Sequence, residues 1–182
     1  GKDRIRQLAN TVVCDNPHWA DWFYRWFLGM VSQWRKLGAA RMYGNSIVPL
    51  LISRQGFNKS TFCRRLLPPE LQWGYCDNLV MTEKRQVLQA MSQFLLVNLD
   101  EFNQIPPKIQ EGFLKNLLQL PSVKIKRPYG RHVEEMPRLA SFIATTNVAE
   151  PLSDSTGNRR FIAVELTEPV DVSQPIDYRQ LY

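Results

Sequence analysis

Four short apolar segments, each leading into polar residues, constrain the fold of this chain most strongly. They cover residues 47–52, 94–99, 141–145 and 161–166. Nearly continuous apolar runs of this length are typical of parallel strands that are buried on both faces of a sheet. Helical patterns over residues 61–67, 83–92 and 106–118 separate them. The alternation predicts a layered α/β/α core with a largely parallel sheet.

A long amphipathic pattern over residues 17–36 predicts a helix ahead of the first strand, with Asn16 as its N-cap and Gly38 at its end. Tryptophans recur along it at helical spacing, which favours core packing, with base stacking as the alternative. We therefore predict an N-terminal helical segment over residues 1–40, packed on a core over residues 41–182.

The composition limits the class of protein. The 182 residues suit one globular domain, and a net charge of +6 permits a polyanionic partner. Apolar runs are too short to span a membrane, and the charged start lacks a signal region. Cys14, Cys63 and Cys76 are widely spaced, which indicates reduced thiols and no zinc site. We expect a domain excised from a longer cytoplasmic protein, without a membrane partner.

The segment after the first apolar run has the features of a phosphate-binding loop. Its residues 53–61, SRQGFNKST, lie between a predicted strand and a predicted helix. Against the pattern G-x-x-x-x-G-K-[ST], Ser53 and Asn58 replace the two glycines, and Asn tolerates a left-handed backbone. The pattern assigns ATP to Gly56, Phe57, Asn58, Lys59, Ser60 and Thr61, and Mg²⁺ to Ser60. A chance occurrence of K-S-T is the alternative.

Polar side chains follow two other apolar runs. Asp100 and Glu101 come after residues 94–99, and Asn147 follows residues 141–145. Because parallel strands end at one edge of a sheet, we expect Lys59, Asp100 and Asn147 to share one pocket. Asp100 would hold Mg²⁺, Glu101 would act as general base, and Asn147 would hold the attacking water. The alternatives are a helix-capping acidic pair and a turn asparagine.

Two adjacent arginines, Arg159 and Arg160, precede the last apolar run and follow a polar stretch at residues 153–156. An arginine placed there can neutralise charge on a transferred phosphoryl group in an oligomeric ATPase. Neighbouring side chains at a strand entry point in opposite directions, so only one of the two is expected to reach the nucleotide. A solvated turn is the alternative.

The order of these motifs resembles the virulence-associated protein E family of P-loop proteins, which are akin to superfamily-3 helicases and to the helicase halves of viral primase-helicases. The stretches that carry the resemblance are residues 43–46 (YGNS), 49–52 (PLLI), 59–64 (KSTFCR), 98–102 (NLDEF), 126–130 (KRPYG), 141–143 (SFI), 146–147 (TN) and 156–161 (TGNRRF). The likeness implies a RecA/AAA+-like core, ATP with Mg²⁺, encoding by a phage or mobile element, and a homo-oligomeric ring in which one subunit's arginine completes the next subunit's site.

A basic hairpin is predicted over residues 123–137. In related ring helicases such an insert tracks the phosphate backbone. We assign a nucleic-acid contact, with single-stranded DNA as the expected partner, to Lys124, Lys126, Arg127, Tyr129 and Arg131, with Arg138 counted in the same basic stretch. A solvated surface hairpin is the alternative.

These features predict ATP hydrolysis coupled to remodelling or unwinding of nucleic acid. The rival hypothesis is a weak or inactive P-loop module that serves nucleic-acid binding or assembly, because Ser53 and Asn58 depart from the motif. A kinase-like phosphotransferase is a third possibility, since P-loop folds host many chemistries.

Overall fold

A computed structural model describes residues 2–37, 42–126, 129–149 and 158–182. The strands are β1 (Val48–Ile52), β2 (Tyr75–Cys76), β3 (Leu96–Leu99), β4 (Ser122–Lys126), β5 (Val133–Pro137), β6 (Ser141–Thr146) and β7 (Phe161–Glu165). In the described residues, five of them form a parallel sheet in the order β2-β3-β6-β1-β7. The remaining two, β4 and β5, form an antiparallel hairpin. The predicted parallel sheet and hairpin are confirmed.

The helices are α1 (Arg4–Ala9), α2 (Trp19–Arg35), α3 (Lys59–Arg65), α4 (Lys84–Gln93), α5 (Lys115–Leu117) and α6 (Tyr178–Leu181). Shorter 3₁₀ segments occur at Pro69–Gly74, Phe102–Gln104 and Asn158–Arg160. None of the helices in the described ranges is long and apolar enough to cross a membrane.

Each central strand contributes to two hydrophobic cores, because successive side chains point to opposite faces. Leu51 and Ile143 pack with α1, α2 and α3 on one face. Leu50 and Phe142 pack with α4, α5 and β4 on the other. The sheet is therefore buried on both faces, and the predicted α/β/α layering holds. Pro49 is tolerated because it lies at the start of β1, before the pairing with β6 begins at Leu50.

Helix α2 shows what its aromatic pattern encodes. Trp19 and Trp26 are buried in the first core, so core packing is confirmed for them. The predicted N-cap was wrong: the helix begins at Trp19, and Asn16 Oδ1 instead accepts a hydrogen bond from the His18 backbone N–H at 2.9 Å, before the first helical turn. Lys36 closes the helix in a left-handed conformation with φ 52°, and Gly38 lies outside the described residues.

The helix predicted over residues 106–118 also differs from expectation. Ile109–Leu114 is π-helical, and Lys115–Leu117, which follows it, is α-helical. The buried side chain of Gln110 donates to the Ile105 carbonyl at 2.8 Å. A side chain that takes a backbone acceptor at the start of a helix competes with regular α-helical bonding.

Candidate active site

The carboxyl ends of β1, β3 and β6 meet at one edge of the sheet, where the connections that follow them enclose a pocket of about 310 Å³. The pocket is lined by Gln55, Gly56, Phe57, Asn58, Lys59, Ser60, Thr61, Asp100, Glu101, Thr146 and Asn147. The structure therefore brings together the predicted loop, the two carboxylates and the asparagine. This follows from the parallel topology, which directs all three strands the same way.

The β1–α3 loop turns through two left-handed residues. Gly56 has φ 90°, and Asn58 has φ 62° immediately before α3 begins. The Asn58 side chain donates to the Val170 carbonyl at 3.0 Å, and the Val170 N–H donates to the Phe57 carbonyl at 3.0 Å. Asn58 thus combines a glycine-like backbone with a side-chain anchor. The bracing by Val170 was not predicted, because a backbone contact from a distant segment leaves no pattern in the sequence.

Lys59 lies at the floor of the pocket and is only 7% exposed. Its Nζ donates to the Ser53 carbonyl at 2.9 Å, to Ser53 Oγ at 2.7 Å and to Asn147 Oδ1 at 3.0 Å, with the Arg54 carbonyl at 3.2 Å. Burial lowers the pKa of Lys59, and the nearby Asp100 carboxylate acts in the opposite direction. Ser53, which departs from the motif, is therefore a direct partner of the lysine.

Asp100 connects β3 to both neighbouring elements. Its Oδ1 accepts hydrogen bonds from Ser60 Oγ at 3.3 Å and from Thr145 Oγ1. The sequence motif at residues 145–147 gave Thr145 no role of its own. It lies on β6 two residues before Asn147, which places both side chains on the α3 face of the sheet. The result is a cluster of hard oxygen atoms at the junction of α3, β3 and β6.

The donor set suits Mg²⁺, which prefers carboxylate, hydroxyl and phosphate oxygens. Asp100 and Ser60 are the two protein groups that could hold the ion. In the described ranges, no group of three or more His, Cys, Asp or Glu side chains could bind a metal by itself. Water and phosphate oxygens would have to complete the shell, as they usually do for Mg²⁺.

Glu101 lies at the rim of the pocket and is exposed. Its backbone is left-handed, with φ 49°, which is unfavourable for a residue with a side chain. The conformation breaks β3 after Leu99 and directs Asp100 and Glu101 differently. Asp100 is tied to Thr145 and Ser60, whereas Glu101 lies at the pocket mouth, where a general base would be needed.

Arg159 and Arg160 lie at the opposite edge of the sheet. They precede β7, whose first residue Phe161 is level with Val48 at the start of β1. The length of β1 separates that edge from the pocket, a distance of about 13 Å. Arg160 Nη1 donates to the Lys115 carbonyl at 3.2 Å. Within a single chain the two arginines are therefore far from the pocket, and the expectation that one of them completes the site of a neighbouring subunit stays a prediction. The polar stretch at residues 153–156 lies outside the described residues.

The hairpin presents one face to the protein and one to solvent. Val123 and Ile125 of β4 are buried in the second core, which leaves Lys124 and Lys126 exposed. At the turn, Tyr129 is fully exposed, with a relative accessibility of 106%. Arg131 is exposed as well, and Arg127 lies outside the described residues. The exposed members thus share an accessible surface.

Arg138 does not belong to that surface, although its place in the basic stretch of the sequence predicted that it would. It is 0% exposed and lies at the base of the hairpin. Its guanidinium donates to four backbone carbonyls, those of Ala140 (2.8 Å), Leu118 (2.8 Å), Leu120 (3.2 Å) and Asn45 (2.9 Å). Burial lowers the pKa of Arg138 to about 9. The prediction was wrong because Arg138 is adjacent to the basic hairpin in the sequence, whereas in the structure the chain turns inward after β5 ends at Pro137.

Comparison with known proteins agrees with this architecture. The apo structure of the NrS-1 C-terminal region has a TM-score of 0.59 and 15% identity, over 92% of this chain and 39% of that one. The A-form apo structure of the same region gives 0.58 and 14%, over 92% and 38%. At this identity the likeness establishes the fold, and this chain spans well under half of that region. Comparison with curated protein sequences yields no relative.

A family model provides the assignment. It describes a virulence-associated protein E-like domain and matches residues 1–182, the whole chain. The chain belongs to the virulence-associated protein E-like domain family.

Proposed function

We propose that this domain binds ATP with Mg²⁺ and hydrolyses it to remodel or unwind nucleic acid, as part of a longer replication protein of a phage or mobile element. The observation that carries the proposal is the meeting of Lys59, Asp100 and Asn147 in one pocket at the carboxyl edge of a parallel sheet. Ligands of open α/β sheets bind at this edge.

The β1–α3 loop would hold the phosphates. Gly56 carries no side chain, and a Cβ built on it meets no atom within 4 Å, so the loop is open on that side. Backbone N–H groups of such a loop form a concave anion site. The ammonium of Lys59 would add charge at the β- and γ-phosphates.

Asp100 and Ser60 would hold the Mg²⁺, with Thr145 fixing the orientation of the carboxylate. The ion would neutralise negative charge on the phosphates. Thr145 would thereby act as a positioning residue, because the hydrogen bond from its hydroxyl to Asp100 Oδ1 fixes the direction in which the carboxylate points.

Hydrolysis requires a base and a group that orients water. Glu101 would take a proton from water as the water oxygen bonds to the γ-phosphorus and the bond to the β–γ bridging oxygen breaks. The products are ADP and inorganic phosphate. Asn147 would orient the water, and its contact with Lys59 at 3.0 Å would place that water beside the γ-phosphate.

Arg159 and Arg160 would act on a neighbouring copy. Their position at the amino edge keeps them from the pocket of their own chain, but it leaves them available to a pocket in the next subunit of a ring. The exposed hairpin residues Lys124, Lys126 and Tyr129 would contact single-stranded DNA.

One observation favours the rival function of a weakly binding module. Lys59 is already engaged by the hydroxyl and carbonyl of Ser53. Incoming phosphate oxygens must replace these contacts, which reduces the net gain in binding free energy. On this hypothesis the domain would bind nucleic acid and assemble without sustained turnover.

Calorimetric titration with Mg-ATP and a steady-state ATPase assay test the proposal. We expect Lys59→Ala to weaken ATP binding by roughly tenfold or more, since it removes a charge-assisted contact. Glu101→Gln should keep the affinity and lower turnover by roughly 10²–10⁴-fold, because it removes the base and preserves shape. Turnover of the wild type should rise with single-stranded DNA.

Lys108→Ala, a change of an exposed lysine outside the pocket, is the matched control and should alter neither quantity. Equal ATP affinity of the wild type and Lys59→Ala would refute the nucleotide site. Binding without turnover in the wild type, on this domain and on the full-length protein, would favour the rival function.

A further inference from the structure

Helix α4 begins with two cations, although positive charge at the N-terminal end of a helix is unfavourable. Lys84 and Arg85 are its first residues, both are exposed, and the first turn contains no acidic residue. Helix dipoles disfavour positive charge at this end. Glu83 precedes them but makes no capping hydrogen bond. The charges therefore cost stability locally, which suggests a use outside the helix.

The start of α4 lies against the far end of β4. Arg85 Nη2 donates to the Lys126 carbonyl at 3.1 Å, so a guanidinium is held beside the exposed Lys126. Lys84 Nζ lies 5.6 Å from the ring centroid of Phe113. Val87 and Ile125 belong to the same buried cluster and fix the helix on the hairpin.

Lys124 and Lys126 continue this surface along β4. They point to the same side of the strand, about 6.6 Å apart. Lys124 is opposite Glu135 in register, but Glu135 is instead hydrogen-bonded by Ser122 Oγ at 2.5 Å. Among the residues that the structure describes, Lys124 makes no ion pair.

Ion pairs occur elsewhere in the described part of the chain. Four examples are Arg4–Asp177, Arg6–Asp3, Arg6–Asp21 and Arg64–Asp77. All involve α1, α2, α3 or segments beside them, and none involves Lys84, Arg85, Lys124 or Lys126. We refer to these last four residues as the basic ridge.

We propose that the basic ridge is one continuous binding surface for the phosphate backbone of a nucleic-acid single strand, and that α4 supplies half of it. The inference rests on the proposed nucleic-acid function of the hairpin and extends it to Lys84 and Arg85. Charges spread along two elements, outside any enclosed pocket, suit a polymer with repeated phosphates better than one small anion. The exposed ring of Tyr129 near the turn offers a stacking platform for a base.

The ridge also reaches the edge of the sheet that carries the ATP pocket. Helix α4 begins directly after the connection from β2, at the carboxyl edge. A cavity of about 340 Å³ lies there, lined by Thr82 of that connection and by Asp100 and Glu101 of the pocket. A nucleic-acid strand bound on the basic ridge would therefore lie near Glu101, the proposed general base.

Fluorescence anisotropy with labelled oligo-dT, repeated over a range of salt concentrations, tests the inference. The variants are the pair Lys84→Gln with Arg85→Gln, the pair Lys124→Gln with Lys126→Gln, and all four together; glutamine keeps side-chain length and a donor. Each phosphate contact contributes about 0.7 to the salt slope of single-strand binding, so each pair should lower the slope by about 1.4. The control pair, Arg25→Gln with Arg35→Gln, changes exposed arginines of α2 on the opposite face and should leave the slope unchanged.

The outcomes separate the two proposals. A reduced slope for both ridge pairs, with the control unchanged, supports the continuous surface. A wild-type slope for the α4 pair, with a reduced slope for the β4 pair, overturns the inference and leaves the hairpin as the binding element. Wild-type slopes for both pairs overturn the hairpin function as well. Equal losses in the ridge pairs and in the α2 control would show that only net charge matters.

Discussion

The base of the hairpin and its outer face carry cations that are treated in opposite ways. Arg138 at the base is fully buried, and its guanidinium donates hydrogen bonds to backbone carbonyls. Lys124 and Lys126 on the outer face are exposed and make no ion pair with the described residues. Basic residues within one short stretch of the chain therefore have different roles. Lys124 and Lys126 lie on the solvent face of β4, whereas Arg138 follows the end of β5. The local course of the backbone therefore decides whether a cation joins protein segments or remains available to a partner.

The same distinction separates the pocket from the ridge. Lys59 is enclosed by neutral oxygens, as Arg138 is. A buried charge is tolerated only when its donors are satisfied, because desolvation otherwise costs several kcal/mol. At both sites the oxygen atoms in contact with the cation are neutral, so no acidic side chain in contact balances the positive charge. In the pocket that charge faces a cavity, whereas the side chain of Arg138 is fully buried.

The largest effect should come from changing the buried member of the hairpin. Arg138→Met removes the donors of four carbonyls that join the hairpin base, α5 and the segment before β1, so the free energy of unfolding should fall by about 3–5 kcal/mol. Lys124→Met, the exposed counterpart, should change it by less than about 0.5 kcal/mol. Urea denaturation followed by tryptophan fluorescence measures both.

Packing around Arg138 gives an independent check of the same comparison. A Cβ added to Gly44 would lie 2.1 Å from Arg138 Nη1 and 2.5 Å from the Leu120 carbonyl oxygen. Gly44→Ala should therefore destabilise the fold through the same cluster. Comparable losses for Arg138→Met and Lys124→Met would contradict the division into a structural base and a free outer face.

A smaller effect is expected at the pocket. Ser53→Ala removes the hydroxyl that Lys59 contacts at 2.7 Å. If this hydroxyl competes with phosphate, its loss should tighten Mg-ATP binding by about tenfold, since a hydrogen bond to a charged group contributes about 1.5 kcal/mol. Calorimetric titration measures the change, with Ser53→Thr as the control that retains a hydroxyl. Weaker binding by Ser53→Ala would instead make Ser53 a residue that positions Lys59 for the ligand.

Much of the fold was predictable because sheets with two buried faces need apolar strands of a characteristic length. Residues 47–52 and 141–145 show this pattern, and both form central strands. The meeting of Lys59, Asp100 and Asn147 was also predictable, since parallel strands end at the same edge. The two-residue β2 was not, because a strand of that length has no periodicity.

Contacts made between distant segments were the part that could not be predicted. The hydroxyl of Thr145 on Asp100 and the backbone of Val170 on the β1–α3 loop depend on how strands and helices pack. Arg138 is the clearest case, because its carbonyl acceptors come from three separate segments. Charge patterns in a sequence show where cations occur along the chain, and burial then determines which of them reach solvent.

The smallest effect concerns pH and tests the hairpin base from its other side. Lys36 Nζ donates to the carbonyls of Pro121 (3.2 Å) and Arg138, and burial, together with the charge of Arg138, lowers the pKa of Lys36 to about 8. The unfolded chain holds this proton up to pH about 10.4. Between these values the unfolded state binds more protons, so deprotonation of Lys36 should make stability rise with pH. Lys36→Met should remove that rise. The measurement is the urea midpoint of both proteins at pH 7.5 and at pH 9.5. The higher pH lies ~1 unit below the pKa of the lysine in the unfolded chain. A parallel pH response of the two proteins would show that Lys36 titrates normally and that the base of the hairpin does not disfavour its charge.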